Sequence, residues 1–157
     1  MKLQITKNKG KPHIILYHRD NGTQTWMHAD AFFVLHDLSH FALEKTLGYK
    51  NAFLGTVNKG VDVKDFENPE KRKQMGLGKE AAYAENMANL FLIELLQGNF
   101  DDFNQILNQA FKPMDKQLSV PILSDKEIFS VRTYLQALIT QWKQLQSSET
   151  MHLDYQC

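Results

Sequence analysis

The chain of 157 residues carries a single cysteine, and it is the last residue, Cys157. A lone thiol forms no internal disulfide and no thiolate metal cluster, and a reducing cytoplasm is its expected setting. Terminal residues are seldom held in place, which makes Cys157 a poor nucleophile. An excess of charge of one sign is also missing: 18 Lys and Arg balance 18 Asp and Glu. Nucleic-acid binders show a basic excess or a clustered basic face. The two short basic runs here, Lys7–Lys11 and Lys71–Lys73, sit in turn-like contexts that suit solvated loops. Apolar runs are interrupted by His, Asp or Glu well short of a membrane span, and the stretch after Met1 has no apolar segment of the signal-peptide kind. Neither a nucleic acid nor a membrane is therefore expected as partner. Phosphate loops of the G-x-x-x-x-G-K or G-x-G-x-x-G type are absent, as is a G-x-S-x-G elbow around Ser39.

What is present suffices for one domain over residues 1–157, since 43% of the residues are hydrophobic. Leu3 and Ile5 alternate with polar residues, and turn chemistry at Asn8–Pro12 leads to a strand over His13–His18. Asn21-Gly22 then signals a hairpin into a third strand, Thr23–His28. Asp30 fits a helix N-cap, with the helix running to about Leu47 and stopping at Gly48. A short helix near Phe53 is expected to end at Gly60, and Asp62–Gly78, with charges, Pro69 and two glycines, reads as a long surface loop able to act as a lid. Further helices are expected at Lys79–Gln97, at Phe100–Phe111, and from Ser124 to about Gln146, with Pro113 and Pro121 bracketing an irregular connection. The tail Thr150–Tyr155 alternates and is expected to return as a strand beside the N-terminal meander. The fold class is α+β: an antiparallel sheet of three to four strands packed against three or four helices.

The chemistry concentrates on the first helix. At about 100° per residue its apolar side chains fall nearly all the way round, the mark of a buried helix. His36, His40 and Glu44 form a narrow stripe at i, i+4 and i+8, with Asp37 at its edge. Buried imidazoles and carboxylates require a metal, a mutual hydrogen-bond network or a wet pocket. Two imidazoles four residues apart lie one above the other and can converge on one zinc ion. H-D-x-x-H resembles the zincin H-E-x-x-H, in which the glutamate activates the metal-bound water, but with that base shortened by one methylene.

A third ligand is needed. Glu44 lies about 12 Å along the axis from His36, too far to share a metal with both histidines; it can join His40 alone, orient His40 from behind, or form an ordinary ion pair with Lys45 or a loop lysine. On the second long helix Glu85 falls between Leu92 and Leu96, beside Ala81 and Ala88, where an acid is out of place unless it meets something positive. Asn89, one turn on, is placed to support it, while Glu80 suits the positive end of the helix dipole. His28 precedes the first helix and can approach the site's upstream end or face water. His13, His18 and His152 sit on expected strands without useful partners.

The segment Trp26–Gly60, with His36-Asp37-Leu38-Ser39-His40-Phe41-Ala42-Leu43-Glu44, then Leu47-Gly48 and Ala52-Phe53-Leu54-Gly55, resembles an uncharacterised family of small bacterial proteins. That family carries an HDLxHxxxE helix followed by a G-F-F-G-like turn; Ala84-Glu85, Trp142 and the Thr150–Tyr155 tail also look similar. The resemblance implies a shared fold and site and names no reaction. H-D-x-x-H is also similar to the zinc-ligand motif of a ubiquinone-biosynthesis protein family, whose further Glu, about a dozen residues beyond the second His, is replaced here by Ala52.

The leading expectation is a divalent-metal-binding protein, with zinc the first choice, acting on a small-molecule substrate as a small hydrolase. His36, His40 and Glu85 would be the metal ligands, Asp37 a base or orienter, and Glu44 a supporting group in the catalytic set. The alternative is a non-enzymatic binding or scaffold protein whose His/Glu stripe is a buried hydrogen-bond network. A third is a small-ligand pocket lined by Phe32, Phe33, Phe41 and Tyr83, with the histidines as donors and acceptors.

Overall fold

The alternating N-terminal residues form three strands in the computed structural model, which describes residues 1–111 and 119–156. These are β1 (Lys2–Thr6), β2 (His13–His18) and β3 (Gln24–Ala29). The tail returns as β4 (Thr150–Asp154) along the other edge of β1, so the sheet runs β3-β2-β1-β4 with all neighbours antiparallel. Register sets Leu3 between Tyr17 and Leu153, and Ile5 between Ile15 and Met151. All six are buried and share one face, while Trp26, His28 and His152 of the opposite face are exposed.

Helix α1 (Ala31–Leu47) starts where the Asp30 carboxylate accepts from the Phe33 N–H at 2.9 Å and ends at Gly48, whose φ of 69° is left-handed. It touches the sheet, α4 (Lys79–Gln97) and α6 (Asp125–Gln144). That enclosure explains its nearly all-round apolar surface: every residue from Asp37 to Glu44 is buried. Ser39 meets the cost of burial by donating its hydroxyl to the Leu35 carbonyl. Helices α4 and α6 are tied together by the buried Glu94 carboxylate, which accepts two hydrogen bonds from Arg132 and one from the Phe100 N–H. A capping box of Ser124 and Glu127 opens α6.

Among the described residues there are six α-helices where three or four were expected. The expected surface loop over Asp62–Gly78 contains a 3₁₀ helix, Val63–Glu67, and α3 (Pro69–Gln74). Helix α3 buries no residue, so it left no apolar period to read; Asn68 caps it and Pro69 opens it. The segment is anchored at its start, where the Asp62 carboxylate accepts from the Thr25 hydroxyl of β3 and Val63 is buried. Helix α2 (Phe53–Asn58) is fastened to the β2–β3 hairpin by buried Arg19, which donates to the carbonyls of Val57 and Val61. Helix α5 (Phe103–Phe111) starts later than expected because the Asp102 carboxylate takes the Gln105 N–H as a cap. Helix α6 stops at Gln144 and β3 begins at Gln24, small shifts at expected ends. Pro113 and Cys157 lie outside the described residues. No helix among the described residues is long and apolar enough to cross a membrane.

Candidate metal centre

Helices α1 and α4 pack against one another, and the polar groups of their seam converge. His36 and His40 stand one turn apart on α1 with ring centroids 4.7 Å apart. From α4, Glu85 places Oε2 3.2 Å from His40 Nε2 and Oε1 3.7 Å from His36 Nε2. One ligand atom from each of the three lies within 4.8 Å of the others. Tetrahedral zinc with bonds of about 2.0–2.1 Å sets neighbouring donors roughly 3.3 Å apart, so small side-chain adjustments suffice. The two histidines differ in setting: His40 is buried, whereas His36 is partly open. The Glu85 side chain is 57% exposed, reaching across the seam from the solvent side, and Asn89 Nδ2 donates to its Oε1 at 3.1 Å.

Behind the pair, Glu44 holds His40 in place. Its Oε1 lies 3.0 Å from His40 Nδ1, and its Oε2 accepts from the Leu54 N–H at 3.0 Å, with the Tyr155 hydroxyl, which donates to the Tyr49 carbonyl at 2.6 Å, 3.4 Å away. Glu44 is completely buried and does not border the open space above the histidines, so it positions His40 rather than meeting a substrate. Lys45, a conceivable ionic partner for it, donates instead to the Asp154 carbonyl. Asp37 does border that space. Its Oδ2 accepts a short hydrogen bond from the Tyr17 hydroxyl, while its Oδ1 sits 3.8 Å from His36 Nδ1.

The electrostatics follow from these contacts. Burial disfavours protonation of His40, but hydrogen bonds to Glu44 and Glu85, with their negative charge, outweigh it and raise its pKa to about 10. His36 is shifted upward more mildly, burial again opposing the pull of Asp37 and Glu85. Glu85 is held well below the usual carboxylate range by its hydrogen bonds to His36 and His40. Burial raises the Tyr17 phenol far above its ordinary value, with the Asp37 carboxylate adding to the effect. Without a metal, the centre is a compact salt-bridged cluster.

A cavity of about 500 Å³ opens above it. His36, Asp37, His40 and Glu85 form the floor, and apolar walls rise from Phe33, Phe53 and Phe66. The Phe53 ring lies 5.2 Å from the His40 ring and braces it against Phe66 and Tyr17. The segment expected as a lid supplies one side, through Val63, Phe66, Glu67, Arg72 and Leu77. Of the four aromatics expected to line a pocket, only Phe33 does so. Phe41 is buried between Tyr134 and Tyr155, Phe32 is exposed, and the Tyr83 hydroxyl donates to the Ser119 carbonyl. A second hollow, of about 540 Å³, lies beside His13 and His28 and has Asp30 as its one carboxylate among the described residues. His28 therefore stays away from the histidine pair, its ring packed edge-on against Trp26. Glu80 does more than complement a helix dipole: its Oε2 accepts from the N–H groups of Lys50 and Asn51 and ties α4 to the start of α2.

No family model, curated protein or solved structure matches the chain. The chemistry of the centre is thus the guide to its role. Four contributors escaped sequence reasoning: Tyr17, Tyr155, Phe53 and Phe66. Tyr17 had a legible signal, because its strand period aims it inward beside Ile15, and a buried phenol needs an acceptor. Tyr155 and Phe66 had none, since only the tertiary fold brings them to α1 and α2.

Proposed function

We propose that His36, His40 and Glu85 bind one divalent metal ion, zinc being the best match to their donors, and that the protein is a small metal-dependent hydrolase. The supporting observation is the convergence of two imidazoles and a carboxylate from separate helices on the floor of a cavity of about 500 Å³. Nitrogen and carboxylate oxygen donors without thiolate suit zinc, and three protein ligands leave the fourth position open for water. A metal held there supplies a Lewis acid and a bound water that ionises near neutral pH. Glu44 accepts from Nδ1–H of His40 and so leaves Nε2 as the nitrogen that would ligate once a metal displaces its proton, the usual way a carboxylate fixes a metal-binding imidazole. Asp37, held by Tyr17 at the cavity floor, is the group placed to take a proton from an attacking water. The cavity has the size of a small-molecule site, and a single thiol suits a reducing cytoplasm.

A second reading rests on one specific feature: His40 has a carboxylate at each ring nitrogen. Doubly protonated, it completes a network that needs no metal, and the protein would then be a non-enzymatic binding or scaffold protein. Elemental analysis of protein purified without a metal-affinity tag separates the two. About one zinc, iron or manganese per chain, lost in both His36→Ala and His40→Ala, is the expected result. Absence of metal, with no thermal stabilisation by added divalent ions, would leave the network reading.

A further inference from the structure

We infer that the cavity takes a ligand with an apolar body and a carboxylate end, and that Arg72 recognises the carboxylate. This deepens the metal-centre reading and rests on it only for what happens at the floor. The walls divide by chemistry. Phe33, Phe53, Phe66, Val63 and Leu77 offer an apolar lining, which suits an aryl or acyl group. The floor groups are already engaged with one another or with Tyr17, Glu44 and Asn89.

Arg72 differs. On α3 the neighbouring lysines use up the nearby carboxylates, Lys71 pairing with Asp65 and Lys73 with Glu70. Arg72 borders the cavity instead, and its guanidinium has no ion pair among the described residues. Glu67, the one carboxylate on the same wall, makes none with it. A planar fork of donors above an apolar slot matches a carboxylate two-pronged. Among the described residues Arg72 is the one Lys or Arg that lines the cavity, which suits one negative charge on that wall, whereas a phosphate dianion would call for more donors there.

The probes are benzoylglycine and its uncharged analogue benzoylglycinamide, titrated calorimetrically into zinc-loaded and metal-free protein, with zinc content measured in the same samples. The acid is expected to bind about tenfold tighter than the amide, the scale of one charge-assisted hydrogen-bonded pair near solvent. Arg72→Ala should abolish that preference, and Glu67→Gln should keep or increase it. Arg72 is exposed and holds no other side chain, so its replacement leaves the fold intact, which circular dichroism checks. Equal affinity of acid and amide overturns the proposal, as does failure of both to bind. A preference that survives Arg72→Ala also overturns it, because another group then holds the carboxylate, the metal if the preference survives only in zinc-loaded protein. Samples that take up no zinc defeat the hydrolase reading alone, and the acid–amide difference in metal-free protein still decides the role of Arg72.

Discussion

His40 is held from two sides, by a buried carboxylate behind it and a solvent-facing one in front, and the two have different consequences. Glu44 accepts from His40 and the Leu54 N–H in a site closed to water, beside the Tyr155 hydroxyl. Glu44→Ala strands two buried donors, the His40 ring N–H and the Leu54 N–H, while the Tyr155 hydroxyl keeps the Tyr49 carbonyl as acceptor. Urea unfolding should therefore show a loss of about 3–5 kcal/mol, with Glu44→Gln milder because its amide oxygen still accepts. Protonation adds a pH signature to the metal-free protein. The pKa of His40 is raised from 6.5 to about 10, so its stabilising contribution is complete below 6.5 and is lost as pH rises through about 10. Glu85 is shifted below 4.5, so its contribution is present above 4.5 and fades as pH falls towards its folded value. Metal must displace the proton on His40 Nε2. Zinc affinity should therefore rise between about pH 6 and pH 8, with proton release visible as a buffer-dependent heat of binding. A pH-independent affinity would show that His40 is not a ligand.

At the scale of elements, the centre depends on how α2 is seated against the end of α1. Gly55 lies so close to the preceding turn that a Cβ there would sit 2.2 Å from the Lys50 carbonyl oxygen. Gly55→Ala must push α2 away, and with it the Leu54 N–H that bonds Glu44 and the Phe53 ring that braces His40. A destabilisation of about 1–3 kcal/mol is expected in thermal or urea unfolding, with weakened metal binding. The same elements show what the sequence made legible. Helix α1 announced itself by its cap, its stop and its polar stripe, and Glu85 by an acid set among leucines and alanines on α4. Those signals are local and periodic. Helix α3 offered no such period, because all its residues face water, and the cavity wall it helps build was invisible. The pocket aromatics were mistaken for the same reason: nothing local says that Phe41 turns to Tyr155 while Phe53 turns to His40 and Phe66 to Phe53.

Across the whole molecule, the site is assembled from distant parts of the chain. Glu85 lies 45 positions from His40, and Tyr155, whose hydroxyl lies beside Glu44, is 111 positions from that glutamate. The β1–β4 pairing carries the tail to α1, α6 closes the far side of that helix, and the 62–78 segment walls the cavity from β3. The α+β sheet-and-helix plan is thus what makes the cluster rigid, since α1 is fixed on three sides before any ligand arrives. Such preorganisation is what a metal centre needs. X-ray absorption at the zinc edge of the zinc-loaded protein tests this most directly. The account predicts four nitrogen or oxygen neighbours at about 2.0–2.1 Å with the outer-shell scattering of two imidazoles, one of them lost in His40→Ala. A spectrum without imidazole scattering, or one unchanged in His36→Ala, His40→Ala and Glu85→Gln alike, would contradict it.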